Sequence, residues 1–322
     1  MKISVNRRRA RLLLGLAIAA LALLTATATG CGDSTSAVTS AGSTPQVSAS
    51  ATATAVRLAG RDSVAVTGRV VDAFRASLKK ASVDTLARVF ADDVVFDDYC
   101  YGTHGVGHTV AVAMIRKNLR EYTDARWLAG FAGRGWAVIE EYWDFSETYG
   151  AEVAILAVYE TSGGKIVHEG DYLQAFQNLP EGRALQPEPL RSAPGSADTA
   201  AAADGVALRY AAALQAKDAA AVADTSAPEI AFVDTASSTV GSDPDAVRTH
   251  YAAIFRKPDD LTFSNLRYAS GRGWAVVLWT AASSSSTLSA DGATMLEIRG
   301  GRIARETLYY NSAKVAFSMP AR

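Results

Sequence analysis

Two adjacent carboxylates, Asp97 and Asp98, close one β-like run, and an imidazole and a phenol, His168 and Tyr172, stand four residues apart on another. Side chains alternate along a strand, so one aspartate of the two faces inward, and residues 168 and 172 share a face with Ile166. A carboxylate base, a histidine partner and a tyrosine donor are the parts needed for moving protons on an enolisable or cyclising substrate. The competing reading has Asp97 and Asp98 capping a turn, with His168 half-exposed among the polar neighbours Lys165, Glu169 and Asp171. Between the two sets lie Cys100, His104 and His108, spaced C-x3-H-x3-H. A thiolate with two imidazoles could ligate zinc or copper. The spacing would need one helical face, however, and Gly102, Gly105 and Gly107 disfavour a helix there. The segment reads as a Gly-rich pocket lip, Cys100 as a small buried hydrophobe, and no metal or other cofactor is assigned.

These residues are positioned by a unit that is written twice. Gly133-Arg134-Gly135-Trp136-Ala137-Val138 recurs unchanged as Gly271-Arg272-Gly273-Trp274-Ala275-Val276. Upstream, Phe74, Leu78, Leu86, Phe96 and Asp98 match Tyr210, Leu214, Val222, Phe232 and Asp234. Downstream, Glu169 and Tyr172 match Glu306 and Tyr309. The near-constant offset marks a tandem repeat with few insertions. Each unit opens with an amphipathic helix: Val70, Val71, Phe74 and Leu78 recur at helical spacing. A short helix follows at Val83 to Phe90, then a strand at Val94 to Asp97 and a third helix at about Val110 to Tyr122. Pro244 and Pro258 bracket the third helix of the second unit, where helices accept proline. Three or four strands close the unit, including Trp136 to Phe145, Glu152 to Thr161 and, after a Gly163-Gly164 hairpin turn, Lys165 to Phe176. Helices first and an antiparallel sheet last make an α+β class.

This order resembles the nuclear-transport-factor-2-like superfamily of cystatin-like cones and, within it, the SnoaL-like, polyketide-cyclase-related group. The resemblance rests on Phe90-Ala91-Asp92-Asp93-Val94-Val95-Phe96-Asp97-Asp98 and Gly164-Lys165-Ile166-Val167-His168-Glu169. In the second unit it rests on Pro228-Glu229-Ile230-Ala231-Phe232-Val233-Asp234 and Gly301-Arg302-Ile303-Ala304-Arg305-Glu306. It implies two tandem cones, each a curved antiparallel sheet wrapped on about three helices, with a pocket between sheet and helices. In that pocket the superfamily's enzymes place an aspartate, often with a histidine or tyrosine. Carried onto this chain, the implied catalytic set is Asp98 or Asp97 with His168 and Tyr172. Phe96, Trp136 and Tyr142 in the first unit, and Phe232, Trp274 and Tyr309 in the second, are the implied ligand-facing aromatics. Such domains often dimerise through their sheets, so the tandem pair resembles a dimer fused into one chain.

The N-terminal stretch gives the address. Lys2, Arg7, Arg8, Arg9 and Arg11 precede a short apolar run, Leu12 to Leu24. It is shorter than the roughly 20 residues that a spanning helix needs and reads as an export signal over residues 1–30. Ala28-Thr29-Gly30-Cys31 resembles a lipobox, with Ala28 where leucine is usual, which makes Cys31 a lipidation site and puts the protein on the outer face of the cell membrane. Residues 31–60, rich in Ser, Thr and Ala, read as a disordered tether. Residues 61–178 and 200–322 are the two domains, and 179–199 is a linker holding four of the nine prolines. Removing the five basic residues before Cys31 takes the formal charge from −1 to −6. With no basic cluster, nucleic acid is not the expected partner. Once Cys31 is lipidated, Cys100 is the only thiol left, so no internal disulfide supports the fold.

The titratable set Asp97, Asp98, His104, His108 and His168 belongs to the first unit. The second has Val233 for Asp97 and Arg305 for His168, and its His250 lies in a helix. Any chemistry is therefore expected in the first unit. The preferred reading is an exported, membrane-tethered protein binding a small apolar or amphipathic molecule without turnover. A cyclase, isomerase or dehydratase and an envelope scaffold are the alternatives.

Overall fold

The strands at the centre of each unit are buried on both faces. Trp136–Phe145 is buried along nearly its whole length, and Trp274–Ser283 is almost as deeply covered. A strand buried on both sides needs a layer on each. The computed structural model supplies helices on one side of each sheet and the other sheet on the second side. It describes residues 55–58, 60–79, 82–121, 124–145, 147, 151–173, 198–256, 260–285 and 289–311. Cys31, the export signal, most of the tether and the linker before Asp198 lie outside these residues.

The first unit runs α1 Val64–Lys79, α2 Val83–Ala87, β2 Phe90–Asp98, β3 Thr103–Val106, α3 His108–Glu121, β4 Asp124–Ala132, β5 Trp136–Phe145, β6 Ala151–Ser162 and β7 Lys165–Leu173. The second repeats that order: α4 Ala200–Ala216, α5 Ala219–Asp224, β8 Ser226–Asp234, β9 Thr239–Gly241, α6 Pro244–Arg256, β10 Leu261–Gly271, β11 Trp274–Ser283, β12 Ser289–Arg299 and β13 Arg302–Tyr310. The sheets have the same order, β3-β2-β7-β6-β5-β4 and β9-β8-β13-β12-β11-β10, and β1 Val56–Arg57 adds to the free edge of the second beside β10. Each sheet is antiparallel except where its first and last long strands meet, β2–β7 and β8–β13, and where β1 joins β10; those pairs are parallel.

Three cores result. One lies inside each cone, under its helices: Phe74, Leu86, Ile115 and Ile166 contribute to the first, Tyr210, Val222, Tyr251 and Ile303 to the second. The third lies between the sheets and draws Trp136, Leu156 and Tyr172 from one unit and Trp274, Met295 and Tyr309 from the other. The two copies of the repeated hexapeptide meet there, with the indoles of Trp136 and Trp274 edge to face at 5.0 Å. The flanking glycines explain the motif. Gly135 and Gly273 adopt φ of +70° and +75° in the turn before each tryptophan. A Cβ on Gly133 or Gly271 would collide with the indole folded over it.

The structure departs from the sequence reading at the tether. Residues 31–60 were expected to be without structure, yet Val56–Arg57 pair with Arg267 and Tyr268 of β10, and Arg57 binds Asp204 at 3.3 Å. The chain thus adds to the edge of the second cone's sheet before entering the first cone.

Candidate functional site

Asp97 and His168 come together. Asp97 Oδ2 lies 2.8 Å from His168 Nε2, and Asp97 Oδ1 lies 2.7 Å from His104 Nδ1. Glu160 is 3.7 Å from the other nitrogen of His168. Burial raises the Asp97 carboxyl, but hydrogen bonds from His104 and His168 outweigh it and hold the carboxyl below its usual range. For His168, burial works against the charge, while Glu160 and Asp97 raise it above the ordinary imidazole value. Asp98 does something else. Its Oδ1 accepts from the backbone N–H groups of Cys100 and Tyr101 at 3.0 Å, capping the turn.

The face differs from the expected one. Ile166 lies inside the first cone, whereas Tyr172 belongs to the core between the sheets. The cause is a register shift: Glu160 pairs with His168 and Thr161 with Ile166, so Val167 is an extra residue. One extra residue reverses the alternation. His168 and Tyr172 therefore sit on the sheet's outer face, and Glu169 and Asp171 turn into the cone.

The expected metal candidates diverge. Cys100 is buried and its carbonyl accepts from Asn311 at 2.7 Å. His104 is on β3 beside Asp97, and His108 Nε2 meets the Ala87 carbonyl. Among the described residues no three His, Cys, Asp or Glu side chains are grouped to hold a metal.

The ligand-facing aromatics are packed rather than open. Phe96 is buried in register with Glu169, and Phe232 sits in the second cone's core 5.0 Å from the His250 ring. Trp136, Trp274, Tyr142 and Tyr309 are in the core between the sheets. Arg126 lies over the Tyr142 ring at 4.6 Å.

Three polar constellations were not foreseen. The first is at the seam. Arg305 grips Glu140 with both terminal nitrogens, at 2.8 and 2.6 Å, and Tyr309 donates to the same carboxylate at 2.8 Å. Both charges are almost fully buried, at 3% and 0% side-chain exposure. The second is inside the first cone, where Glu141, which accepts from Trp143 Nε1, and Glu169 turn inward with Asp171. Burial pushes Glu141 up to about 7; burial and the charge of Glu141 push Glu169 to about 8. The third corrects the expectation that the second unit lacks acid–base groups. Asp234 is fully buried, 2.9 Å from His250 of α6 and 2.9 Å from the hydroxyl of Tyr310. Close by, Tyr210 and Tyr251 donate to Glu306 at 2.8 and 2.6 Å. Burial pushes Glu306 up to about 7. The sequence held a signal for two of these. In the run Trp136 to Phe145, Glu140 shares a face with Tyr142 and Asp144, a face that could be solvated or an interface, and the structure makes it the interface. Glu169 and Glu306 recur at matched positions.

Space is distributed unevenly. Inside the second cone, the cavity lined by Leu214, Tyr251, Phe263 and Trp279 is about 10 Å³, the size of one water. Between the cones a cleft of about 460 Å³ opens, within the range of small-molecule sites. Its walls are Tyr99 and Tyr172 from the first cone and Leu266, Arg267, Leu278, Thr280 and Asp291 from the second, with Val56 and Asn265 also lining it. Tyr99 and Tyr172 stack at 4.6 Å. Thr280 donates to Asp291 at 2.6 Å and accepts from Asn265 at 3.3 Å.

Residues 207–306 match the SnoaL-like domain family. No curated protein matches the chain. Solved structures similar to it include an NTF-2-like protein of unknown function from Burkholderia xenovorans, 16% identical over 34% of this chain and 83% of that one, with a TM-score of 0.31. Another is an NTF2-like protein of unknown function from Mesorhizobium loti, 15% identical over 37% and 99%, TM-score 0.33. A third is a steroid delta-isomerase from Pseudomonas aeruginosa, 16% identical over 35% and 82%, TM-score 0.32.

Proposed function

We propose that this chain, whose second cone is a SnoaL-like domain, is an exported, lipid-anchored protein that holds a small amphipathic molecule without turning it over, in the cleft between its two cones. The observation that carries the reading is that cleft: about 460 Å³, with stacked tyrosines and leucines for an apolar body and a few polar groups at one side. The sequence reading expected the pocket in the first cone, lined by Phe96, Trp136 and Tyr172; of these the cleft is lined by Tyr172. Asp97 and His168 do not line the cleft and engage each other, which does not suit a base waiting for substrate there. The address rests on the basic run Lys2 to Arg11, the apolar run Leu12 to Leu24 and Cys31. On this reading the protein arose by doubling one cone, and the seam is a dimer interface made permanent.

Two experiments test it. Mass spectrometry of the purified protein under native conditions should reveal a co-purifying small molecule, released by Tyr172→Ala; a bare chain that binds nothing from an extract of its host defeats the binding reading. Cys31→Ala should move the protein from membrane to soluble extracellular fraction, and wild type already soluble would remove the anchor. A second reading, an acid–base enzyme, is favoured by the paired carboxyls Glu141 and Glu169, which burial lifts to about 7 and 8 inside the first cone. Turnover abolished by Glu169→Gln but untouched by Tyr172→Ala would favour it over binding.

A further inference from the structure

We infer that the cleft selects a carboxylate-bearing monoanion with a flat apolar body, and that Arg267 is the group that selects it; this rests on the reading of the cleft as the binding site. The argument comes from the unequal halves of the seam. In the first sheet Glu140, Leu156 and Tyr172 form one cross-strand row. In the second sheet the matching row is Leu278, Ala293 and Tyr309. Each row ends in a tyrosine, but only the first carries a carboxylate.

Where that carboxylate points, the seam is closed. Glu140 crosses to the second sheet and is held by Arg305 and the hydroxyl of Tyr309, all nearly buried. In the other half Leu278 stands in the place of Glu140. It has no charged end, and the space beyond it is the cleft, walled by Tyr172, the counterpart of Tyr309. So the protein shows, in one half, a carboxylate bound by an arginine and a tyrosine, and in the other half a tyrosine and a vacant volume.

The cation is there too. Arg267 is in register with Leu278 on the neighbouring strand, half-buried, and lines the cleft. Among the described residues its guanidinium makes no hydrogen bond or close ion pair, and its charge is felt at a distance by Glu160, Tyr99 and Tyr172. A guanidinium on an apolar wall is a carboxylate receptor by geometry, since its planar fork takes both oxygens. Asp291 shares the lining but is engaged by the Thr280 hydroxyl. With Asp291 in the lining and Glu160 within reach of the single guanidinium's charge, a dianion such as a phosphate monoester would meet repulsion that a monoanion meets less. The stacked Tyr99 and Tyr172 offer a flat wall for the body.

Cinnamate, cinnamyl alcohol and phenyl phosphate are matched probes, titrated calorimetrically into the full chain. Cinnamate is expected to bind at least tenfold tighter than the alcohol and the phosphate, and Arg267→Gln to reduce it to the alcohol's level. Leu278→Glu restores the missing carboxylate and is expected to expel cinnamate. If that variant does not fold, Arg267→Gln alone decides. Equal binding of acid and alcohol, both lost in Leu278→Glu, would overturn the charge selection and leave the cleft reading standing. Phenyl phosphate binding tightest would overturn the monoanion. Binding by none of the three, or binding indifferent to both variants, would overturn the inference and the cleft reading together.

Discussion

At the scale of single residues, one inserted residue decides which groups can meet. Val167 makes the bulge that turns His168 outward to Asp97 and turns Glu169 inward. The Asp97–His168 contact has a pH signature. His168 is raised above its unfolded value of 6.5, so its contribution to stability is fully present below about pH 6.5 and fades as pH climbs through the folded value. Asp97 is depressed, so its contribution is present above its unfolded value of 3.8 and fades as pH falls through the folded value. Titration of His168 followed by NMR should give a midpoint above that of a free imidazole. Asp97→Asn should move it down, and a midpoint unmoved by that change would mean the pair does not persist in solution. The buried acids act in the opposite sense to Asp97. Glu141, Glu169 and Glu306 bind protons more tightly when folded, so stability should decline from about pH 4.5 to pH 8. Glu169→Gln should flatten that decline and raise the melting temperature at pH 8 by a few degrees, on the order of 1 kcal/mol. A variant that melts lower at pH 8 would contradict the assignment.

At the scale of elements, the hexapeptide is a turn and a strand start that place an indole at the seam. Trp136 and Trp274 are 4% and 5% exposed and touch each other. Either Trp→Ala should cost about 3–5 kcal/mol. Because the rings are in contact, the double variant should cost less than the two singles added, with about 1 kcal/mol of coupling. Strict additivity in urea denaturation would say that the cones do not pack through these rings. Gly133→Ala and Gly271→Ala should each displace an indole and destabilise, although both are outwardly small changes.

At the scale of the whole molecule, two cones share a core that contains a buried ion pair. Arg305 loses hydration on burial, but Glu140 more than compensates and holds it charged. Removing one partner leaves a bare charge in the seam. Arg305→Met alone should therefore cost about 3–5 kcal/mol, while Arg305→Met with Glu140→Leu should recover most of it. If the double variant is no better than the single, the pair is not the unit that closes the seam. Such a contact distinguishes its correct register from sliding alternatives, because an offset would bury Glu140 and Arg305 unpaired.

The sequence by itself determined the parts that depend on local periodicity and repetition. Apolar spacing at 3.6 and at 2 residues placed α1, α3, β5, β6 and β7 within a few residues, and the repeated hexapeptide announced two similar units. It also brought Asp97, His168 and Tyr172 to attention. What it left open depends on relations between distant segments. The bulge at Val167 exists only against its partner strand, so strand parity put Ile166, His168 and Tyr172 on one face when the sheet separates them. His250 looked incidental on its helix because its partner, Asp234, lies on another element. The short strands β1, β3 and β9 have too few residues for a pattern and form because an edge is available to pair with. The cleft belongs to neither unit alone. Its walls come from both cones, with Leu278 where the first sheet has Glu140, and only the packing of one sheet on the other encloses the space between them.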